Sequence, residues 1–213
     1  MDGINQNAKG YAVAGVNNTG AQDKGKPLTD ISAPSEFGVW LFILADMCIF
    51  AMYFAVHLWE KSLNPDMFLQ GQATLNTQYG GFNTVVLLLG SCFVAKSLHA
   101  ARHAQIDRYK RLLTLTILTG VVFLVVKTVE YQEKFAAGFH IATNEFYRNY
   151  FAFTGFHMLH VIIGLSFLMW LLFSINSKEK VANNLGNIES VGLYWHMVDL
   201  LWVILFALIY LAK

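Results

Sequence analysis

The 213-residue chain is too apolar for a protein that folds in water. It is 55% hydrophobic and 14% charged, with a mean hydropathy of +0.44, whereas about a quarter of the residues in soluble domains are charged. Its formal net charge of +1 leaves no broad basic surface and excludes a protein built to bind nucleic acid. These values indicate an integral membrane protein.

The chain divides into a polar N-terminal segment and an apolar remainder. Residues 1–35 are rich in Gly, Asn, Ala and Lys and lack the apolar core of a signal peptide. We predict that they form a mobile cytoplasmic tail. Residues 36–213 are predicted to form a single membrane domain.

Five apolar stretches follow the tail in close order. Their approximate bounds are 37–59, 81–101, 112–129, 147–175 and 191–211. Each is near the roughly 20 residues that a helix needs to cross a hydrocarbon core. Backbone amides in lipid must be satisfied within the segment, so these stretches are predicted to be helices. The predicted fold is an all-α integral membrane bundle of five transmembrane helices.

The basic residues of the connections predict the orientation of the bundle. Lys and Arg are concentrated in the tail, in residues 102–111 and at residues 178–180, which five spans place on one side. The opposite connections are poorer in both, so the positive-inside rule predicts a cytoplasmic N-terminus and an external C-terminus in a bacterial cytoplasmic membrane. Four aromatic residues near predicted helix ends are expected to lie at the membrane interfaces: Trp40, Trp59, Trp195 and Tyr210.

Asp46 lies within the first predicted span. It is about ten residues from the start of that span, or roughly 15 Å deep at 1.5 Å per residue. A charged group at this depth is costly and therefore needs a partner or a purpose. We interpret Asp46 either as an acid hydrogen-bonded to a neighbouring helix or as a group that handles lipid head groups or protons.

Two pairs of polar residues lie within the last two spans. His157 and His160 are three residues apart on one helix face, and His196 and Asp199 repeat this spacing on the last helix. Paired histidines can ligate a metal, but no third ligand follows on the same helix, which favours hydrogen bonding inside the bundle. From depth alone, we hypothesise that these four residues and Asp46 form one buried polar network.

Lys127 and Glu130 lie near the predicted external end of the third span. Their spacing predicts an ion pair along the helix, with the lysine stem extending toward water. Small residues in the second, third and fourth spans are expected to let helices approach closely. They are Gly90, Ser91, Ala95, Gly120, Gly155 and Gly164.

Four segments together resemble the subunit III family of haem-copper oxidases, in the family's order. They are FGVWLFILAD at residues 37–46, KTVEY at 127–131, TGFHMLHVIIG at 154–164 and YWHMVDLLW at 194–202. The last two are the most specific. The resemblance covers the chain from about residue 37 to its end.

The resemblance implies an accessory subunit without catalytic, cofactor-binding or metal-binding residues of its own. Such a subunit packs against the catalytic subunit I and other subunits, and it binds phospholipid. The haem, with copper or non-haem iron, belongs to the partner subunit. By position, Asp46 is then a lipid-contacting or network acid. Mainly structural roles are implied for Glu130, His157, His160, His196 and Asp199.

The sequence departs from the usual family pattern in two respects. Many members have seven helices, with a lipid-filled cleft beside the first pair, whereas five are predicted here. Many members also carry Glu at the position of Asp46. The run LADM at residues 44–47 and the final motif look closest to a branch associated with nitric oxide reductases. The electron donor and the acceptor, oxygen or nitric oxide, therefore remain open.

Two other functions are compatible with parts of the sequence. His99, His103 and His196 lie at similar predicted depth, as in a membrane cytochrome that binds haem b. Asp46 and the histidines would serve as a relay in an independent proton or solute transporter. Against a transporter, the sequence has no internal repeat, and its three prolines lie outside the predicted spans.

Overall fold

The structure is a computed structural model that describes residues 33–175 and 177–212. These residues form helices and short connections, without a β-strand. The predicted tail lies outside the described residues up to residue 32. The all-α prediction is confirmed.

Five long helices have the length and apolar composition needed to cross a membrane, which confirms the number of predicted spans. They are α1 (Ala33–Leu63), α3 (Thr77–Arg102), α4 (Ile106–Ala136), α5 (Glu145–Ser174) and α7 (Leu185–Phe206). A π-helical turn, Ala207–Leu211, continues α7 to the end of its span. Two short helices lie in the connections, α2 (Pro65–Ala73) and α6 (Lys178–Asn183).

The helices extend further than their apolar stretches. Only residues 103–105 separate α3 from α4, although residues 102–111 were predicted to be a connection. Lys and Arg are good helix formers, so a helix can continue beyond the apolar layer through basic residues. The starts of the two short helices are marked by individual residues. Helix α2 begins at Pro65, and at the start of α6 the Ser177 side chain accepts a hydrogen bond from the Lys180 amide.

Trp195 of α7 packs against α3, α4 and α5 and is fully buried. It faces glycines on three helices. A Cβ added at Gly120 would lie 2.7 Å from Trp195 Cη2, one added at Gly164 3.1 Å from Trp195 Cε3, and one added at Gly90 3.6 Å from Trp195 Nε1. The expected close approach is therefore confirmed at these glycines, whereas Gly155 has only one neighbouring atom, at 3.9 Å.

The prediction that Trp195 lies at an interface was wrong. Helix α7 begins ten residues earlier, at Leu185, so Trp195 lies near the middle of that helix. The stretch from Leu185 to Ser190 contains Asn and Glu, which delayed the predicted start of the span. Tyr210 was also predicted to lie at an interface, but it is only 4% exposed.

Helix α1 lies at the edge of the bundle. Only 11% of its most apolar segment is buried, compared with 56% for α7. Its C-terminal end is held by polar contacts: Glu60 accepts hydrogen bonds from Arg148 at 2.6 Å and from Asn149 at 2.7 Å, and Lys61 donates to the Ala212 carbonyl at 2.6 Å. The rest of α1 exposes a long apolar surface.

Candidate functional site

Asp46 and His160 form a largely buried pair between α1 and α5. Asp46 is 9% exposed, and its Oδ1 lies 3.1 Å from His160 Nε2. His160 Nδ1 is 2.8 Å from the Phe156 carbonyl oxygen, which can only accept, so Nδ1 carries a proton. A hydrogen bond between Nε2 and Oδ1 then requires one shared proton, on either the acid or the imidazole. Among the described residues, Asp46 Oδ2 has no hydrogen-bond partner.

His196 forms a second polar contact, between α7 and α3. Its Nδ1 lies 2.5 Å from the Ser91 hydroxyl. Asp199, one turn further along α7, is 3% exposed. Ser91 lies close enough to interact with its carboxylate, but neither carboxylate oxygen meets hydrogen-bond geometry with a described residue. The Ser91 hydroxyl is engaged instead by its short contact with His196.

His157 faces a different part of the bundle from His160. It is fully buried, and its ring packs against Phe123 and Trp202, with centroids 5.5 and 5.2 Å away. Neither ring nitrogen has a hydrogen-bond partner in the described chain. Of the five residues in the hypothesised network, the described hydrogen bonds join only Asp46 and His160.

Lys127 and Glu130 are the centre of a buried charged cluster. Their Nζ and Oε2 atoms are 2.9 Å apart, which confirms the predicted pair. Their side chains are 0% and 1% exposed, so the prediction that the lysine extends to water was wrong. The Tyr210 hydroxyl accepts from Lys127 at 2.7 Å and donates to Glu130 at 2.6 Å, and the Tyr150 hydroxyl accepts from Lys127 at 3.2 Å. The lysine therefore remains hydrogen-bonded without water.

Sequence reasoning missed the tyrosines that complete this cluster. Tyr150, Thr154 and His157 are all fully buried and follow the i, i+4, i+7 spacing of one helix face. This periodicity would have placed Tyr150 inside the bundle. No comparable signal existed for Tyr210, because it lies within a π-helical turn, where the angular positions of the residues depart from the α-helical period.

Several cavities lie beside α1, among them an apolar cavity and a cavity at Asp46. The larger, about 570 Å³, lies between α1, α5 and α7 and is almost wholly apolar. It is lined by Gly38, Val39, Phe42, Ile163, Phe167, Ser190, Val191 and Tyr194. The second, about 290 Å³, contains the acid–histidine pair. It is lined by Asp46, Ile49, Phe50, Tyr53, Phe153, Phe156, Leu159 and His160.

Comparison with known proteins explains why the four motifs occur in this order. The profile of the family described as Cytochrome c oxidase subunit III matches residues 19–213, which is most of the sequence. The chain belongs to this family. Its place is that of an accessory subunit of an oxidoreductase complex, and not of the catalytic subunit.

Individual relatives agree with this subunit III assignment. Cytochrome c oxidase subunit 3 of Synechocystis sp. is 31% identical over 176 residues, covering 82% of this chain and 74% of the relative. The subunit 3 of Gallus gallus is 33% identical over 182 residues, covering 82% and 68%. Cytochrome bo(3) ubiquinol oxidase subunit 3 of Pseudomonas aeruginosa is 26% identical over 185 residues, covering 85% and 87%.

The histidines considered for haem binding do not converge in this subunit III. His99 and His103 pack against each other at the end of α3, with ring centroids 4.3 Å apart. His196 contacts Ser91, which lies eight residues before His99 on α3, or about 12 Å along the helix. Within residues 33–175 and 177–212, no three His, Cys, Asp or Glu side chains form a group that could hold a metal.

Proposed function

We propose that this chain is the accessory subunit III of a respiratory haem-copper oxidoreductase in the cytoplasmic membrane of a bacterium. It stabilises the catalytic subunit I, which carries the haem, and it binds phospholipid. Its N-terminus faces the cytoplasm, and its C-terminus faces outward. Family membership supports the subunit assignment, and the sparse burial of α1 is the observation that carries the stabilising role.

The exposed side of α1 supports packing against a second membrane protein. In lipid, helices associate through close van der Waals packing, which α1 makes over little of its length. Its unpacked surface includes Leu41, Leu44, Met52, Val56 and Leu58, each at least half exposed. A helix of subunit I packed against this surface would supply the van der Waals contacts that the other helices of this chain do not make with α1.

The larger cavity beside α1 supports the binding of phospholipid. It is open and apolar, as a groove for an acyl chain must be. A smaller cavity next to it contains the Arg102–Glu189 ion pair, with Nη2 and Oε1 2.9 Å apart. Polar groups at the end of an apolar groove match the layout of a phospholipid, whose head group stays at the membrane interface.

The defining experiment is purification of the tagged chain from its native membrane in mild detergent. Mass spectrometry and a visible spectrum of the purified material would identify its partners. We expect a haem-containing subunit I and bound phospholipid to copurify. The identity of that subunit would distinguish an oxidase from a nitric oxide reductase. A colourless chain that is purified alone would contradict the proposal and favour a transporter.

A variant of Asp46 tests whether this residue contributes to the accessory role. We expect Asp46→Ala to insert normally but to lower the yield of the complex or to shorten its active lifetime during turnover. Ile162→Ala, a change at an exposed position of α5, is the control. Equal complex yield and equal turnover lifetime in both variants would show that Asp46 has no such role.

A further inference from the structure

Two exposed histidines lie one turn apart at the end of α3. His99 belongs to the last turn of the helix, and His103 is its C-cap residue. Both side chains are exposed, and the centroids of their rings are 4.3 Å apart. The spacing i, i+4 brings the two imidazoles together on one side of the helix. The proposed accessory function does not use this pair.

A hydrogen bond determines which ring nitrogen of His103 is free to bind a ligand. His103 Nδ1 lies 2.9 Å from the carbonyl oxygen of His99. A carbonyl oxygen can only accept, so Nδ1 carries the proton of the neutral ring and Nε2 keeps its lone pair. Histidines that bind metals commonly donate their other ring nitrogen to a backbone carbonyl in this way, which fixes the tautomer and the orientation of the ring. His103 therefore has the tautomer of a metal ligand.

The distance between the two rings suits one shared metal ion. A Zn–N bond is about 2.0–2.1 Å long, so two nitrogens that bind one zinc ion lie at most about 4 Å apart. Rings whose centroids are 4.3 Å apart can each direct one nitrogen to such an ion. The same i, i+4 spacing on a helix supplies two zinc-binding histidines in metalloproteases. Imidazole suits Zn²⁺, Cu²⁺ and Ni²⁺, whereas Mg²⁺ and Ca²⁺ prefer oxygen ligands.

The charged groups beside the pair affect which ions it can bind. Arg102 lies between the histidines in the sequence, but it pairs with Glu189, with Nη2 and Oε1 2.9 Å apart. Lys96 lies three residues before His99 and therefore on the same side of α3. Its positive charge opposes the binding of a cation and would assist the binding of an anion. Because Lys96 is exposed, salt screens this charge, and the lysine weakens metal binding without preventing it.

We propose that His99 and His103 together bind one divalent transition-metal ion. Each ring contributes one nitrogen, and water completes the coordination, since no third His, Cys, Asp or Glu joins the pair in the part of the chain that the structure describes. The bound ion joins the last turn of α3 to its C-cap residue and stabilises this end of the helix. The site differs from the metal-free subunit that the family resemblance implies. It goes beyond the proposed accessory function and does not depend on it.

The test measures Zn²⁺ binding to the full chain in nanodiscs of phosphatidylcholine, whose head groups carry no net charge. Neither the chain nor the scaffold protein of the nanodisc carries a polyhistidine tag. Calorimetric titration against empty nanodiscs gives the dissociation constant, and Mg²⁺ is the comparison. We expect saturable binding of Zn²⁺ that is at least tenfold tighter than that of Mg²⁺. Equal affinities for the two ions, or no saturable binding of Zn²⁺, would overturn the proposal.

Three histidine variants test whether the ion binds at this pair. His99→Ala and His103→Ala should each weaken Zn²⁺ binding at least tenfold, because each leaves a single imidazole. His140→Ala removes an exposed histidine from the connection between α4 and α5 and is the matched control, with a dissociation constant within twofold of the original. All three side chains are exposed, so the bundle should remain folded. Unchanged binding in either variant of the pair, or an equal loss in His140→Ala, would refute the assigned site.

A lysine variant distinguishes a metal site from an anion site. Lys96→Gln removes the positive charge beside the histidines, so it should bind Zn²⁺ at least as tightly as the original chain. Inorganic phosphate is the probe for an anion site, and we expect no saturable binding of phosphate to either chain. Weaker Zn²⁺ binding in Lys96→Gln, or phosphate binding that this variant loses, would overturn the proposal.

Discussion

The buried charged cluster makes a quantitative prediction about Lys127 and Glu130. Lys127→Met alone leaves a carboxylate that is 1% exposed without its counter-charge. Glu130→Leu alone leaves a fully buried ammonium group without its counter-charge. Removing one partner of a buried pair costs about 3–5 kcal/mol, because the remaining charge is desolvated and uncompensated. We expect a loss of this size in the free energy of unfolding for each single variant.

The double variant Lys127→Met/Glu130→Leu should lose much less than the sum of the two single losses. It removes both charges and replaces them with apolar groups of similar volume. The hydroxyls of Tyr150 and Tyr210 lose charged partners, which costs about 1–3 kcal/mol. We therefore expect a total loss of about 1–3 kcal/mol, against a sum of about 6–10 kcal/mol for the single variants.

The assay is reversible unfolding in mixed detergent micelles of increasing SDS content, followed by tryptophan fluorescence. Arg148→Met is the control, because its pair with Glu60 has side-chain exposures of 51% and 20%. Because Arg148 is exposed and Glu60 is partly exposed, breaking this pair should cost less than about 1 kcal/mol. The reasoning is refuted if Lys127→Met and Glu130→Leu each lose as little free energy of unfolding as Arg148→Met. It is also refuted if the double variant loses the full sum of the two single losses.

Three further predictions concern packing, the buried histidine and the orientation. Gly120→Ala should lower the free energy of unfolding by about 1–2 kcal/mol, because the new Cβ would lie 2.7 Å from Trp195 and Leu165. Gly192→Ala has open space and should raise it by about 0.5–1 kcal/mol in the same assay. His157→Ala should lower it by about 2–4 kcal/mol through the cavity it leaves, and elemental analysis should find the metal content of the complex unchanged. With both native cysteines replaced by serine, an impermeant maleimide should label Ile141→Cys in intact cells and Lys178→Cys only after permeabilisation.

Each of these predictions has a contradicting result. Equal stability in the two glycine variants would show that the helices around Trp195 can separate without cost. Loss of stoichiometric copper or iron in His157→Ala would overturn the assignment of a packing role to this residue. Labelling of Lys178→Cys, but not of Ile141→Cys, in intact cells would reverse the proposed orientation.

Hydropathy was sufficient to predict the number of long helices but not their ends. Crossing lipid demands a continuous apolar segment, so the sequence must show each span. Beyond the apolar layer a helix no longer needs apolar residues, so hydropathy does not show where it ends. Hydropathy predicted a loop over residues 102–111, whereas α3 ends at Arg102 and α4 begins at Ile106. Capping groups and Pro65 determine where the short helices begin. These signals extend over only a few residues, so hydropathy over a whole span does not detect them.

The partners of buried polar groups were harder to predict than their depth. Asp46 and His160 were placed at similar depth, and they are in contact. His157 lies one turn from His160 but faces α4 and α7, since rotation of a helix about its axis decides which neighbour a side chain meets. That rotation depends on how all the helices pack together. The same limit applied to Lys127, whose tyrosine partners come from two other segments.

The contacts that hold the end of α1 have a consequence for the order of biogenesis. Lys61 bonds the carbonyl of Ala212, 151 residues later, and Gln72 bonds the carbonyl of Ile209, 137 residues later. A ribosome makes the first helix long before these two acceptors. When α1 enters the membrane, the part of its anchor that the last helix supplies does not yet exist, and the contacts of Glu60 with Arg148 and Asn149 form first, once α5 has been made.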